Sequence, residues 1–503
     1  MNNILSLLIL IPLVTAMAIL LVKKDCTIKL IALGGGILQL SFSVWLTLYY
    51  LARRNLGDAG DMLFQNSIKW FAPLHIHFSW GVDGISLAMI LLTAIVVVAG
   101  ILISWRIEKQ VKEFFFLIIL LSLGAYGFFI STDLFMMFFF LELAVIPKYL
   151  LIGIWGSGKK EYSAMKLAIM LMAGSALVFL GILGLYVASG IYGNAPTWNI
   201  HELSLIQFPI ELQRIFYILT FVGFGVFTAM FPFHTWAPDG HSSAPTAASM
   251  FLAGISMKLG GYGCLRVATY LMPGAAQELS WIFIILASIA IIYGAFATMM
   301  QKDLKYMNAY SSVSHCGFVI LGIAMLTRAG IMGAVMQMVS HGIMTALFFA
   351  AIGMIYDRAH TRQADELGGM LKQVPFIGTA FIIAGLCSLG LPGFSGFVSE
   401  MTIFVGSWER TGIFYRVATI LACASIVVTA VYILRAIGLA IWGTIKNKEY
   451  EHFKDASWSE RSAAILLIAG IVFIGIFPFW LTHLIEKDTF SIFNKLISVA
   501  VAN

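Results

Sequence analysis

Residues 134–154 read LFMMFFFLELAVIPKYLLIGI, an apolar run long enough to cross a lipid bilayer as a helix. The run contains one carboxylate, Glu142, and one ammonium, Lys148. An ionised side chain at membrane depth costs about 2.5 kcal/mol or more, so chains keep such groups mainly where they move ions or bind something charged. The alternative is a protonated Glu142 that is hydrogen-bonded to a neighbouring helix. The stretch predicts a membrane span with an ionisable group inside it.

The composition is that of a membrane protein. Hydrophobic residues make up 60% of the chain and charged residues 11%, whereas a soluble domain has about 25% charged residues. The net charge of +6 is explained by basic loops and does not indicate nucleic-acid binding. The five cysteines are scattered without a CxxC motif, which predicts neither a metal site nor a disulfide framework. The sequence therefore predicts a single membrane domain over residues 1–503, without a redox centre of its own.

Apolar stretches of the length of a membrane-spanning helix recur along the whole chain. They predict an all-α polytopic membrane protein with about 14 transmembrane helices. The predicted spans lie near residues 3–22, 28–50, 83–105, 114–131, 133–154, 163–189, 212–233, 245–270, 279–300, 304–326, 329–355, 375–400, 413–443 and 462–484. Basic residues are concentrated in alternate loops. The positive-inside rule assigns these loops to the cytoplasm, so both termini are expected on the outer side.

Two of the predicted spans contain helix-breaking sequences. Residues 227–246 read FTAMFPFHTWAPDGHSSAPT, and residues 388–400 read SLGLPGFSGFVSE. Each span is expected to be interrupted, because proline lacks a backbone donor and clashes with the preceding turn. Interrupted helices at matching places in two halves are typical of an internal repeat around a transport site. Ordinary kinks are the alternative, because the two segments share little sequence.

Ionisable side chains recur in several spans that are otherwise apolar. Besides Glu142, they are Lys148, Lys166, Lys258, His315, His341, Glu400 and Arg435. A single histidine on an apolar face is more often a satisfied core residue. Buried ionisable groups in transporters, however, usually face an internal cavity and act together. A chain of such groups, bridged by water, is expected to carry protons laterally.

Two further groups of side chains qualify this prediction. The hydroxyls available as bridges are those of Ser312, Ser314, Ser340 and Thr345. Lys148, Lys166 and Arg435 are expected closer to the membrane interface, where a long side chain can reach the headgroups, so a structural role is favoured for them. No nucleotide-binding, metalloprotease or serine-hydrolase motif has a plausible setting. The chain must therefore use an ion gradient or be driven by partner subunits.

Several long motifs resemble one known family. They are DLFMMFFFLELAVIPKYLLIGIWG, PFHTWAPDGHSSAPTAASMFLAGISMKLGGYGCLR, AYSSVSHCGFV, HGIMTALFFAAIGMIYDRAHTR and LPGFSGFVSE. They resemble the chain M family of NADH–quinone oxidoreductase, the antiporter-like subunits of complex I, over nearly the whole chain. The resemblance implies two inverted five-helix repeats, here residues 114–270 and 279–443, each with a broken helix.

The resemblance also implies a function and a setting. The chain would form one proton channel in the membrane arm of a proton-pumping NADH–quinone oxidoreductase, driven by quinone reduction elsewhere in the complex. FMN, iron–sulfur clusters and quinone would be bound by partner subunits, and this chain would bind no cofactor. Its partners would be other antiporter-like and quinone-site subunits within the lipid bilayer. The loop charges and the resemblance favour a bacterial inner membrane over a mitochondrial or thylakoid membrane.

Carried over by position, the resemblance assigns roles to five residues. Glu142 would be the acidic partner in the fifth helix and Lys258 the connecting lysine in the eighth. His315 and His341 would continue the hydrophilic axis. Glu400, in the second broken helix, would be the terminal group near the outer exit.

One position departs from the family pattern. The family usually has a lysine seven residues before the histidine of PxHxWxPD, and this chain has Phe227 there. Lys148 and Lys166 are candidate replacements. Residues six apart lie on different faces of an ideal helix, which argues against Lys148 as a partner of Glu142. The channel therefore pumps with altered wiring, or it is coupled weakly or not at all.

Two other functions compete with the proton channel of complex I. One is a homologous subunit of a cation/proton antiporter or a membrane-bound hydrogenase-type complex, which shares the same motifs. The other is a scaffold subunit with impaired pumping, for which Phe227 is the main support.

Overall fold

Helices form throughout the chain because a bilayer offers no partner to an unpaired backbone group, and a helix satisfies its own. The computed structural model describes residues 3–58, 60–193 and 195–502. Its α-helices are α1 Leu7–Leu21, α2 Asp25–Asn55, α3 Gly84–Ile103, α4 Val111–Ile130, α5 Leu134–Trp155, α6 Lys160–Tyr192, α7 Ile200–Leu205, α8 Ile210–Phe227, α9 Trp236–Ser243, α10 Thr246–Phe251, α11 Met257–Gly263, α12 Pro273–Met299, α13 Leu304–Ala324, α14 Arg328–Ala359, α15 Met370–Gln373, α16 Pro375–Ser388, α17 Ser395–Glu409, α18 Ile413–Ala436, α19 Trp458–Ile476 and α20 Phe479–Ala502.

The polytopic helical fold is confirmed. Among the described residues, eleven helices are long and apolar enough to cross a membrane. The total of 14 spans stays a prediction, because the other candidates are interrupted or more polar segments. Helix α14 is fully buried along its most apolar stretch, whereas α1, α2 and α6 expose much of theirs. The core of the bundle therefore surrounds α14, and the exposed helices form its rim.

Both predicted interruptions are present. Helix α8 ends at Phe227, a turn follows, and α9 resumes at Trp236. In the second half, α16 ends at Ser388 and α17 begins at Ser395. Both breaks are only partly buried: Ala229 and Met230 are buried in the first, whereas Pro232 in the first and Leu391 and Pro392 in the second are exposed. The boundaries of the two five-helix repeats stay predictions.

A third helix has a different irregularity. Between α10 and α11 the chain makes a π-helical turn at Leu252–Ser256, and a second one follows at Cys264–Thr269. Turns of this kind occur often at functional sites. The first lies immediately before Lys258 in the sequence, so it decides which backbone carbonyl this lysine can reach.

The structure adds one element that the sequence analysis did not predict and corrects the bounds of one predicted span. The added element is an antiparallel hairpin of strands β1 Leu63–Phe71 and β2 Ile76–Val82. The predicted last span, 462–484, ends earlier, at Ile476.

The chain then turns into α20, which lies across one end of the bundle. Asp488 accepts a hydrogen bond from the backbone of Gly84, the first residue of α3, at 2.6 Å. Glu486 pairs with Arg328, the first residue of α14, and Leu496 accepts from Gln277 in the first turn of α12. Contacts with three helix starts show that α20 runs along this end and does not continue the last span.

Candidate functional site

Lys258 lies in the centre of the bundle, and its side chain is only 1% exposed. Its ammonium donates to the carbonyl of Ala253 in the adjoining π-helical turn at 2.5 Å. It also lies 2.7 Å from Nδ1 of His341 on α14. An ammonium has no lone pair to accept with, so Nδ1 must be the acceptor and the proton of the neutral ring is on Nε2. This Nε2 has no partner among the described residues, so it is free to pass a proton on.

Two histidine rings follow Lys258 in a row of buried titratable side chains, which we call the path. The rings of His341 and His315 are stacked, with centroids 5.2 Å apart and planes inclined by 29°. Both side chains are buried. Stacking places the rings close without a direct hydrogen bond between them. A proton crossing from one to the other therefore needs a bridging water or a rotation of a ring.

His315 has a partner for both of its protonation states. Its Nε2 lies 3.1 Å from the hydroxyl of Ser388, at the break between α16 and α17. Its Nδ1 lies 3.3 Å from Oε1 of Glu400 and 3.3 Å from Nε2 of Gln337. The neutral ring can accept the Gln337 amide proton at Nδ1, and the protonated ring can donate from Nδ1 to the carboxylate. The gain or loss of a proton therefore changes which of the two, Gln337 or Glu400, is the hydrogen-bond partner of Nδ1.

Short polar side chains hold this arrangement in place. Ser399 donates to Oε1 of Gln337 at 2.5 Å, which turns the amide NH₂ of Gln337 towards His315. Ser340 donates to Ser395 at 2.8 Å across the same break. Of the hydroxyls predicted as bridges, Ser340 lies next to the path, and Ser312 and Thr345 contact each other at 3.3 Å. Ser314 instead donates to the backbone carbonyl of Ile291 on α12.

Glu400 ends the path, and a glycine makes room for it. Gly390, in the break before α17, has φ +73°, a left-handed conformation that side chains other than glycine rarely adopt. A Cβ at this position would lie 2.6 Å from Oε2 of Glu400. The glycine in LGLPG therefore serves both the turn and the carboxylate.

The ionisable side chains of α5 make fewer hydrogen bonds than those of the path. Glu142 lies in the middle of α5, half-buried, with Oε1 unpartnered in the part of the chain that the structure describes. Lys148 is 1% exposed, and its ammonium likewise has no hydrogen-bond partner among the described residues. The two side chains interact electrostatically. The side chain of Lys148 is enclosed by the bundle, so it does not reach out to the headgroups as expected, whereas its depth within the membrane stays a prediction.

The other two lysine and arginine candidates are engaged elsewhere. The ammonium of Lys166 on α6 donates to Asp239 on α9 at 2.7 Å, and both side chains are about a quarter exposed, at 23% and 24%. Tyr306 donates to the second oxygen of this carboxylate at 3.2 Å. Arg435 donates to the carbonyl of Met299 at the end of α12. Lys166 is therefore paired with Asp239 and is not the partner of Glu142.

Two buried residues near the path escaped the sequence analysis. His241 on α9 is completely buried, and neither ring nitrogen has a partner among the residues described. It lies within electrostatic range of Lys258 and Lys305. Lys305 is buried and donates to the carbonyl of Ala244 at 2.9 Å. His241 stands directly before two serines in a short helix that contains Pro238, and this setting was the available signal.

A second buried charge cluster lies at the end of the bundle that α20 covers. Arg266 forms an ion pair with Asp83, the N-cap residue of α3. Asp488 on α20 accepts from Tyr50 at 3.2 Å and lies 3.6 Å from the guanidinium of Arg54. Two carboxylates and two guanidinium groups balance in charge, which fits a structural lock between α20 and the bundle. The sequence analysis did not single out Arg266.

Comparisons with known proteins agree with this architecture. The family model for "NADH:quinone oxidoreductase/Mrp antiporter, TM" matches residues 131–427. The chain is 36% identical to "NAD(P)H-quinone oxidoreductase chain 4 2" of Microcystis aeruginosa, over 98% of this chain and 93% of the relative. It is 35% identical to "NADH-quinone oxidoreductase subunit M" of Rickettsia prowazekii, over 94% and 95%.

Two solved structures share the fold. A chain of respiratory complex I from Thermus thermophilus superposes with a TM-score of 0.88 at 24% identity, covering 98% of this chain and 99% of that one. A chain of the Mrp complex from a Dietzia species superposes with a TM-score of 0.83 at 17% identity, with the same coverage. At these identities the likeness establishes the fold alone.

Proposed function

Because the chain belongs to the family of NADH:quinone oxidoreductase and Mrp antiporter transmembrane subunits, we propose that it is a membrane-arm subunit of a complex I-type enzyme and forms one of its proton channels. Its relatives of similar length are named as subunits of NADH– or NAD(P)H–quinone oxidoreductases. Electron transfer, with FMN, iron–sulfur clusters and quinone, belongs to partner subunits. The membrane we propose is a bacterial inner membrane.

The observation that carries the proposal is the run of titratable groups from Lys258 to Glu400. Lys258 gives a proton to Nδ1 of His341, and the His341 ring releases its Nε2 proton towards His315. His315 then protonates Glu400, the last carboxylate on the path.

Each of these groups can bind and release a proton, and each is shielded from lipid by the helices around it. Such groups inside a membrane are typical of proton relays.

The ionisable residues of α5 form the other end of the proposed proton path. Glu142 is the acidic group there, and Lys148 is the buried ammonium beside it. His241, on α9 after the first break, lies within electrostatic range of Lys258 and is the third histidine that a proton can use. We include His241 in the path because its ring is fully buried and neither nitrogen makes a hydrogen bond among the described residues, so no hydrogen bond accounts for a histidine at this position.

The same motifs suit a subunit of a cation/proton antiporter, since the family includes Mrp antiporters. Purification of the tagged chain in mild detergent separates the two functions. Flavin and iron–sulfur absorbance, with quinone-site and peripheral-arm subunits in the mass spectrum, supports the redox-driven pump. A cofactor-free assembly of small membrane subunits would make it a gradient-driven antiporter.

Glu142→Gln tests the channel within the assembled complex. The expected result is fewer protons moved per NADH oxidised, because the neutral amide cannot bind and release a proton. An unchanged ratio, with the complex intact, contradicts a channel role for Glu142 and favours a scaffold subunit.

A further inference from the structure

Lys148 differs from the other two fully buried lysines of the path region. Lys258 and Lys305 each donate to a backbone carbonyl, at 2.5 and 2.9 Å. Lys148 has no such acceptor among the described residues, although its side chain is just as buried. A buried ammonium without a hydrogen bond costs several kcal/mol. Such a group is poorly explained as a structural element of the helix.

The ammonium of Lys148 faces Phe227. It lies 6.0 Å from the centre of the ring, at the far limit of a cation–π contact. Phe227 is itself buried and is the last residue of α8, directly before the break. This is the position at which the family resemblance implies a lysine. The positive charge of Lys148 therefore lies close to the place that a lysine at 227 would occupy, but it comes from α5.

Glu142 is the nearest identified source of a compensating charge. It precedes Lys148 by six residues on the same helix, and the two interact electrostatically. Pro147 lies between them inside α5. A proline within a helix removes one backbone hydrogen bond and kinks the helix, so ideal helix spacing does not decide which face Lys148 takes. The sequence argument against this pair therefore does not hold at a proline.

We propose that Lys148 is the proton-exchanging partner of Glu142, and that this chain has moved the lysine of its first half-channel from the broken helix to α5. The inference rests on the proposed proton channel. In the transfer step the Glu142 carboxylic acid releases a proton through a bridging water to the neutral Lys148 amine. The products are a carboxylate and an ammonium. The reverse step restores the neutral pair, and no electron moves.

A charge-relocation series tests the proposal in the whole complex, reconstituted in vesicles. Lys148→Met is expected to lower the protons moved per NADH oxidised as much as Glu142→Gln does. Adding Phe227→Lys to Lys148→Met restores an ammonium from the other helix and is expected to recover at least half of the lost pumping. The single variant Phe227→Lys, with Lys148 unchanged, serves as the reference for the double variant.

Two further variants separate the possible outcomes. Lys148→Arg keeps a positive charge that cannot be released at working pH, so it is expected to lower the ratio like Lys148→Met; normal pumping in Lys148→Arg would show a structural charge and overturn the inference. Lys302→Met is the matched control, because this lysine is 69% exposed outside the path. Co-purification of the other subunits shows whether each variant assembles. If Lys148→Met does not assemble, Lys148→Arg alone tests whether Lys148 exchanges a proton.

Failure of the inference and failure of the proposed function give different patterns. If Glu142→Gln and Lys258→Met lower the ratio while Lys148→Met does not, the channel exists and Lys148 is not part of it. If all three leave the ratio unchanged, the proposed channel itself is wrong.

Discussion

The two ends of the polar axis are built in different ways. From Lys258 to Glu400 the titratable groups touch one another or share an amide or hydroxyl partner. At the end that contains Glu142 and Lys148, each charged group has an unpartnered atom, and the ammonium lies 6.0 Å from the centre of the Phe227 ring. One region is a connected network, and the other contains two ionisable groups of which the Lys148 ammonium has no hydrogen-bond partner among the described residues.

This difference separates two physical tasks. In the connected network only the step from His341 to His315 lacks a direct contact between polar atoms, so a proton can pass with a small rearrangement, a ring rotation or a bridging water. An unpaired buried charge is sensitive to any nearby charge, since the low dielectric screens it poorly. The end with Glu142 and Lys148, which we call the sparse end, is therefore suited to respond to a charge in the neighbouring subunit or to the protonation of Glu142. The connected end, from Lys258 to Glu400, is suited to conduct protons.

Breaking the connected end should have the largest effect. His341→Phe keeps the stacked ring but removes both nitrogens, so Lys258 loses its acceptor and His315 loses its donor. We expect proton transport through this channel to fall by roughly tenfold or more, the factor that corresponds to about 1.4 kcal/mol. Proton uptake by vesicles per NADH oxidised measures it. Wild-type uptake in an intact complex would show that the proton does not pass this ring.

Gly390→Ala should damage the same end more mildly. The new Cβ would lie 2.6 Å from Oε2 of Glu400 at a φ of +73°, so either the turn or the carboxylate must move. We expect a partial loss of proton transport with normal subunit assembly. Gly438→Ala is the matched control, because a Cβ at that glycine has no neighbour within 4 Å. Equal behaviour of the two variants would contradict the role assigned to Gly390.

At the sparse end, Phe227→Leu sharpens the comparison. Leucine keeps the site apolar but removes the ring that faces the Lys148 ammonium, a contact worth about 0.5–2 kcal/mol. We expect proton transport to change severalfold, less than for His341→Phe. Transport rates at two or three pH values, compared with the unmodified complex, measure the change. Identical rates at every pH would show that the ring does not act on Lys148.

Lys166→Met should have the smallest effect. Its ion pair with Asp239 is partly exposed, and such pairs contribute about 0–1 kcal/mol. The expected result is an unchanged ratio of protons to NADH, with a slight loss of thermal stability of the purified complex. A ratio as low as that of Glu142→Gln would place Lys166 on the path after all.

Apolar length and proline placement were enough to predict the helical membrane fold and both interrupted helices. The hairpin of β1 and β2 was missed because strand pairing depends on residues that fold together outside the membrane. Helix α20 was merged into the last span, since its apolar face packs on the end of the bundle and resembles a spanning stretch in the sequence.

Within the site, the candidate residues were found because an ionisable side chain in an apolar run is conspicuous. Their contacts were not predictable. The enclosure of the Lys148 side chain was not predicted, because the sequence does not show which side chains of a helix face the inside of the bundle. The partner of Lys166 could not be seen either, since Asp239 lies far away in the chain. His241 was overlooked among the prolines and serines of the broken helix.

The central claim is that a proton passes through Lys258. Lys258→Arg tests it most directly, because arginine keeps the positive charge but does not release its proton. The measurement is the number of protons moved per NADH oxidised by the reconstituted complex, with subunit content checked on the same sample. The account predicts that this ratio falls as far as in Lys258→Met. A ratio equal to that of the unmodified complex would show that Lys258 supplies only a fixed charge, and would contradict the path from Lys258 to Glu400.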